Sequence, residues 1–279
     1  MKIVADSSCD IFEYAGVDFA STPMKIITAE SEFVDDKSLD VDGMVNTLYT
    51  YKGRSQSSCP NPSDWLESFG DAEDIFCVTI TSALSGSYNS ACTAKRIYEG
   101  EHPDRRVFVI DTFSAGPEGS MVVEKLAECI QRGMQYPEIC QTIVAYQNQT
   151  GLLFMLKSLK NFANNGRVSP LVAKLVGIAG ICIVGKASSQ GTLEPMEKCR
   201  GEKRSIETLA QNLVSMGKSL TKVSIGHCQN QAAAMALRDL ILSSCPHVQI
   251  EIHTLKGLCS FYAEKGGILV GFEKSANEE

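Results

Sequence analysis

Short apolar runs alternate with amphipathic stretches along nearly the whole chain, and this alternation limits the possible folds more than any other feature. Ile75 to Ile80 (IFCVTI) is brief, apolar and rich in β-branched or aromatic residues, the composition of a buried strand. After it, Tyr88, Ala91, Ala94, Ile97 and Tyr98 recur at three- and four-residue spacing, which marks one face of a helix. Between strand and helix lies a loop of small hydroxylated residues, Thr81, Ser82, Ser85 and Ser87, with Gly86 opening the helix. The first turn of a helix has free N–H groups and a partial positive charge. Serines beside such an end suit an anion, phosphate or carboxylate. The same composition also makes ordinary N-caps and turns, so the loop alone leaves both readings open.

The alternation continues in both directions. Lys2 to Ala5 reads as a strand ending in the polar loop Asp6-Ser7-Ser8-Cys9-Asp10, at the sheet edge where ligands bind in open α/β folds. Asp18 to Ile27 reads as a second strand, and Asp40 to Lys52 as a helix. Ser55 to Ser63 holds two prolines and reads as a loop, with Ser63 capping the helix that carries Trp65, Leu66 and Phe69. Arg106 to Ile110 is a strand ending at Asp111-Thr112-Phe113-Ser114, followed by helices over Gly119–Arg132 and Tyr136–Gln147. These elements predict a mainly parallel, layered sheet flanked by helices.

A second half begins near Gly151. Leu152 to Leu156 reads as a strand, Leu159 to Asn165 as a helix stopped by Asn165-Gly166, and a further helix reaches about Val176. Gly177–Lys186 and Leu193–Cys199 read as paired strands around Ser188-Ser189-Gln190-Gly191. Helices over Arg204–Met216 and Gln231–Leu242 alternate with strands over Val223–His227, Val248–Leu255 and Ile268–Phe272, and Ser260–Gly267 is a loop or helix. The fold class is therefore α/β. We place an N-terminal unit with a mainly parallel sheet at 1–155 and a C-terminal unit with a mixed sheet at 156–279, a division that 279 residues easily support.

Bulk properties exclude several classes. A net charge of −7 and the lack of any Lys/Arg-rich run argue against nucleic acid as a partner. MKIVAD opens directly into a strand and does not read as a signal peptide. The longest uninterrupted apolar segment, Ile178–Val184, is strand-sized, so stable membrane insertion is not expected. The 11 cysteines include no C-x-x-C pair and no zinc spacing, so we expect no metal, free thiols and a cytoplasmic location.

Three motifs are weaker than they look. Gly180 to Ala187 nearly fits a phosphate-binding loop, but its four intervening residues are apolar and form a strand. No G-x-S-x-G nucleophile turn is present. His227 follows a strand and reads as structural. More telling is that Ser57-Ser58, Ser85 with Gly86, and Ser114 all adjoin elements of one sheet and are placed to face one crevice. Hydroxyls without a paired base or metal suit anion binding better than bond cleavage. Two classes remain open at this point: a carrier of a carboxylate with an apolar chain, and an enzyme for a small carboxylated or phosphorylated substrate.

Taken in order, the motifs resemble the DegV family of fatty-acid-binding proteins, which includes the fatty-acid-binding subunits of bacterial fatty acid kinases. Asp6-Ser7-Ser8-Cys9-Asp10 resembles D-S-T-A-D, Ser57-Ser58-Cys59-Pro60 stands where the family has T-S-Q-P, and Ser82 to Ser90 resembles S-S-x-L-S-G-T-Y-x-S. Asp111-Thr112-Phe113-Ser114 resembles D-S-x-S, and Asn165 to Ser169 resembles G-G-R-[IV]-S. The resemblance covers essentially the whole chain.

It implies two α/β domains with a long-chain fatty acid held in the cleft between them. It also implies no catalytic residue or cofactor of the chain's own, and an ATP-dependent fatty acid kinase as partner. The implied ligand-binding set is Ser57, Ser58, Ser82, Ser85, Gly86, Ser114, Arg167 and Tyr262, with Ser57 and Ser85 on the carboxylate and Arg167 near it. Tyr262 stands where the family often has histidine, and Cys59 where it has glutamine. A phenol donates a hydrogen bond but carries no positive charge near neutral pH.

Overall fold

The structure, a computed structural model, describes residues 1–168, 172 and 180–275. Ser169 of the Asn165–Ser169 motif, most of the helix expected to reach Val176, and the expected strand start at Gly177 lie outside these residues.

The first sheet joins β1 (Lys2–Asp6), β2 (Asp18–Thr22), β6 (Asp74–Thr79) and β7 (Arg106–Asp111) in the order β2-β1-β6-β7. Every pair in it is parallel. The intervening β3 (Lys25–Ile27), β4 (Glu32–Val34) and β5 (Gln56–Ser58) form a small antiparallel sheet ordered β4-β3-β5. Side chains alternate across the first sheet as its pleat requires. Val4, Ile75 and Cys77 pack under α2 (Pro62–Phe69) and α3 (Ser87–Glu101). Ile3, Phe76 and Val78 pack under α4 (Pro117–Gln131) and α5 (Tyr136–Tyr146). Burial on both faces explains why these strands read as continuous apolar runs.

The second sheet contains β8 (Thr150–Leu156), β9 (Ile181–Ala187), β10 (Leu193–Arg200), β11 (Leu220–His227), β12 (Gln249–Thr254) and β13 (Ile268–Lys274). Their order is β10-β9-β8-β13-β11-β12, antiparallel except for the parallel pair β11–β12. Leu153, Met155, Val184 and Val270 face α7 (Glu202–Val214) and α8 (Gln231–Ser244). Leu152, Phe154, Leu156 and Leu269 face the opposite way, in a cluster that includes Val45 of α1 (Val41–Thr50) and Phe261 of α9 (Gly257–Ala263). Helix α4 ties the two sheets: a Cβ at Gly271 of β13 would come within 2.7 Å of the Pro117 carbonyl carbon.

Several local expectations change. The strand expected over Asp18–Ile27 breaks at Pro23, which has no N–H for a ladder. The chain leaves the first sheet there, and Met24 N–H donates instead to Ser7 Oγ (3.0 Å). Within Ser55–Ser63, expected to be all loop, Gln56–Ser58 pairs with β3 as a strand. The cap of α2 is Asn61 rather than Ser63, because Pro62 occupies the first helical turn. Asn61 Oδ1 accepts from Ser63 N–H (2.8 Å) and Asp64 N–H (3.1 Å), and Asp64 accepts from Asn61 N–H (2.8 Å). Ile97 of the expected α3 face is 40% exposed, and Ala91, Ala94 and Tyr98 carry the burial. Gly180–Ala187 ends in strand β9, as its composition implied. Sheet membership changes at Thr150, so β8 lies wholly in the second sheet. Among the described residues, no helix is long and apolar enough to cross a membrane.

Candidate functional site

A cavity of about 310 Å³ lies between the loops at the edge of the first sheet and the open face of the second. Its size falls at the lower end of ordinary ligand pockets, roughly 300–1,000 Å³. Most of its wall is apolar. Leu152, Phe154 and Leu156 supply it from alternate positions of β8, with Leu269 of β13 and Met24, Ile80 and Leu258 from the first unit and α9. Turn residue Gly191 closes one side, where the β9–β10 hairpin seats on the first unit. Its φ of +72° favours glycine, and a Cβ there would overlap Thr81 Oγ1 and come within 3.1 Å of Phe113 Cα.

Polar side chains interrupt this wall. Ser57 and Ser58 come from β5, Ser85 and Gly86 from the start of α3, Ser114 from the loop after β7, and Tyr262 from α9. Arg167 follows α6 (Lys160–Asn164) and is the only charged residue among the described lining residues. Ser57 Oγ and Tyr262 Oη are 2.7 Å apart. Ser85 Oγ accepts from Ser87 N–H (3.2 Å), which leaves the Ser85 O–H free to donate into the cavity. Burial raises the Tyr262 phenol above its ordinary range, opposed by hydrogen bonds from Ser57 and Arg167 and by the Arg167 charge, so it is neutral near pH 7. The lining contains no Asp, Glu, His or Lys among the described residues, so no base stands beside the serines.

The scaffold behind these side chains is a buried acidic hub. Asp6 Oδ2 accepts from Ile80 N–H (2.9 Å) and Ser87 Oγ (2.6 Å), and its Oδ1 accepts from Ser8 N–H (3.2 Å) and the Ser8 hydroxyl. Asp35, wholly buried, caps α9 by accepting from Gly257 N–H (2.7 Å) and Leu258 N–H (2.9 Å). Asp10 accepts from Lys256 N–H (3.2 Å). Burial first, and the Asp35 charge second, push the Asp10 carboxyl up to about 8. The Asp6–Asp10 loop, expected at a ligand edge, is therefore enclosed: Ser7 and Ser8 are fully buried.

Seven of the eight expected site residues thus meet at one cavity. Ser82 stands apart: it is exposed, and its N–H donates to Asp111 (3.1 Å). Sequence reasoning read the Ser188–Gly191 turn and the Asn165-Gly166 helix stop but not their contacts at the site, Gly191 against Thr81 and Asn165 on Ser57. It missed the Asp35 cap of α9, which carried no sequence signal. His227, read as structural, accepts from Asn230 N–H at its Nδ1 (3.4 Å).

The DegV family model, described as one of uncharacterised proteins, matches residues 1–275. The chain belongs to the DegV family. A DegV domain-containing protein of Streptococcus pneumoniae is 44% identical over 276 residues, covering 98% of both chains. Among solved structures, a DegV family protein from Eubacterium eligens loaded with heptadecanoic acid is 43% identical, with a TM-score of 0.93 over 98% of this chain and 99% of that one. The Streptococcus pneumoniae Fatty Acid Kinase (Fak) B3 protein loaded with linoleic acid is also 43% identical, with a TM-score of 0.94 over 98% of each chain. The α/β fold, with a parallel first sheet and a mixed second one, matches these structures.

Proposed function

We propose that this chain binds a long-chain fatty acid in the cavity, with the carboxylate at the Ser57, Ser85, Arg167 and Tyr262 end. The observation that carries this is the lining itself: the Ser57 hydroxyl, the Tyr262 phenol and the Arg167 guanidinium are linked by hydrogen bonds, and most of the remaining wall is alkyl and aromatic. Two relatives at 43% identity hold heptadecanoic and linoleic acid. A carboxylate gains charge-assisted hydrogen bonds of about 1.5–3 kcal/mol each. Each buried CH₂ adds roughly 0.8 kcal/mol, which makes chain length the main source of affinity.

Ser58, Gly86 and Ser114 complete the polar set in this reading, and Ser82 supports the rim through Asp111. The chain carries its lipid in the cytoplasm and presents the carboxylate to a separate ATP-dependent kinase. The likeness to the Fatty Acid Kinase B3 protein supports that partner. We also propose two folding units around the cavity, divided just before Thr150 rather than at residue 155, because β8 lies in the second sheet.

Differential scanning of the lipid-free protein tests the function. A C16–C18 acid should raise Tm by mass action, while acetate and a small phosphorylated metabolite at equal concentration should leave it unchanged. The reverse ranking would overturn the lipid reading and favour a small-substrate enzyme. Mass spectrometry of the denatured protein should show co-purified fatty acid.

A further inference from the structure

Strand β5 is an edge strand, bound only to β3 and leaving its other edge open to pairing. Among the described residues, no strand occupies that edge. One side chain does: Asn165, just past the end of α6. Asn165 Oδ1 accepts from Ser57 N–H (3.3 Å), and Asn165 Nδ2 donates to Ser55 C=O (3.2 Å). A C=O and the N–H two residues later are the pair that one residue of a parallel strand would engage. A single carboxamide thus stands in for the N–H and C=O of one strand residue on the β5 edge. Its Nδ2 also donates to Asn161 C=O (2.8 Å), anchoring the amide to its own helix. Asn161 Nδ2 in turn donates to Phe261 C=O (2.7 Å), beside Tyr262 in α9.

We propose that Asn165 is a positioning residue for the carboxylate end of the cavity. It fixes the backbone of Ser57 to the chain segment that carries Arg167 two residues later, so the Ser57 hydroxyl and the guanidinium hold one separation. The inference rests on the lipid reading for its ligand, but its geometry stands independently.

Two measurements on Asn165→Ala test it. First, titration with palmitate and with hexadecanol separates the two ends of the cavity. Palmitate should bind about tenfold more weakly than to the parent protein, the worth of one or two lost hydrogen bonds. Hexadecanol, with the same chain and no charge to position, should bind equally well to both. Asn165→Ser, which keeps a shorter acceptor for Ser57 N–H, should fall between and stands in if the alanine variant does not fold. Equal losses for both ligands, or no loss for either, would overturn the positioning role. Second, hydrogen exchange at the Ser57 amide, followed without ligand, should be slow in the parent and faster in Asn165→Ala. Unchanged exchange would also overturn the proposal. If neither ligand binds the parent protein, the lipid reading fails, while the exchange result still decides whether Asn165 holds the edge.

Discussion

Two serine-rich loops leave the same edge of the same sheet and meet opposite fates. Asp6–Asp10 follows β1 and Thr81–Ser87 follows β6, its parallel neighbour. In the first loop each hydroxyl finds its partner within the protein. Ser7 Oγ accepts from Met24 N–H (3.0 Å), and the Ser8 hydroxyl donates to Asp6. In the second, Ser87 is spent inward on Asp6 (2.6 Å), while Ser85 is half exposed and keeps an O–H for the cavity. A loop of hydroxyls is structural where its donors are satisfied and buried, and suited to a ligand where a donor is left over at a cavity. The two are also unequal partners, since the carboxylate of the first holds the backbone of the second in place.

Substitution at Asp6 should break this pair most severely. Asp6→Ala leaves Ile80 N–H, Ser87 Oγ and Ser8 without their acceptor in a wholly buried site. Each such group costs about 1–3 kcal/mol, so the chain should lose about 3 kcal/mol or more, read from urea unfolding. A loss under about 1 kcal/mol would show that the hub is dispensable.

Ser85→Ala should do the converse. Stability should barely change, while affinity for a long-chain acid falls by the worth of one charge-assisted bond, about 1.5–3 kcal/mol. A fluorescent fatty-acid titration with unchanged affinity would reduce Ser85 to a support for Ser87 N–H.

The smallest effect we expect is on pH dependence, and it sharpens the contrast between the enclosed loop and the open one. Asp10 is pushed up to about 8, Glu118 to about 7 and Asp35 to about 6, each mainly by burial. A carboxyl whose folded pKa is raised contributes stability below its unfolded value near 4, and that contribution is lost as pH rises to its folded pKa. His253, lowered to about 4, and His227, also lowered, both mainly by burial, oppose this loss below their unfolded value near 6.5, so the melting temperature should fall chiefly between about pH 6.5 and 8. Asp10→Asn should flatten that slope by about 2–4 °C. A melting curve that rises steadily from pH 5 to 8 in both proteins would contradict the assignment. Glu128, held low mainly by the Lys125 hydrogen bond, acts in the opposite sense only at lower pH.

Much of the fold was legible because its signals are local. Apolar runs of strand length, helical periodicity, and Asn165-Gly166 at a helix end locate elements from a few neighbouring residues each. Gly166 takes the left-handed conformation (φ +67°) that such a stop requires. The motifs likewise brought Ser57, Ser85, Arg167 and Tyr262 into one reading before any geometry was known. Where local rules competed, the outcome turned on chemistry a window cannot weigh. Pro62 displaced the α2 cap to Asn61, and Pro23 ended a strand that apolar content alone would extend.

Local patterns supply the list of parts: layered α/β elements, free hydroxyls at loop positions, one arginine near them, and membership of the ordered motif set. Tertiary structure alone decided which hydroxyls are spent and which remain. Ser87 and Ser85 are the same chemical group in one loop, but only a contact across 81 residues of chain ties one to Asp6 and leaves the other facing a cavity. The same holds for Asn165, which meets Ser57 across 108 residues of chain. A hydrogen bond is directional and falls off steeply with distance, so its partner is fixed only when distant segments are brought into contact.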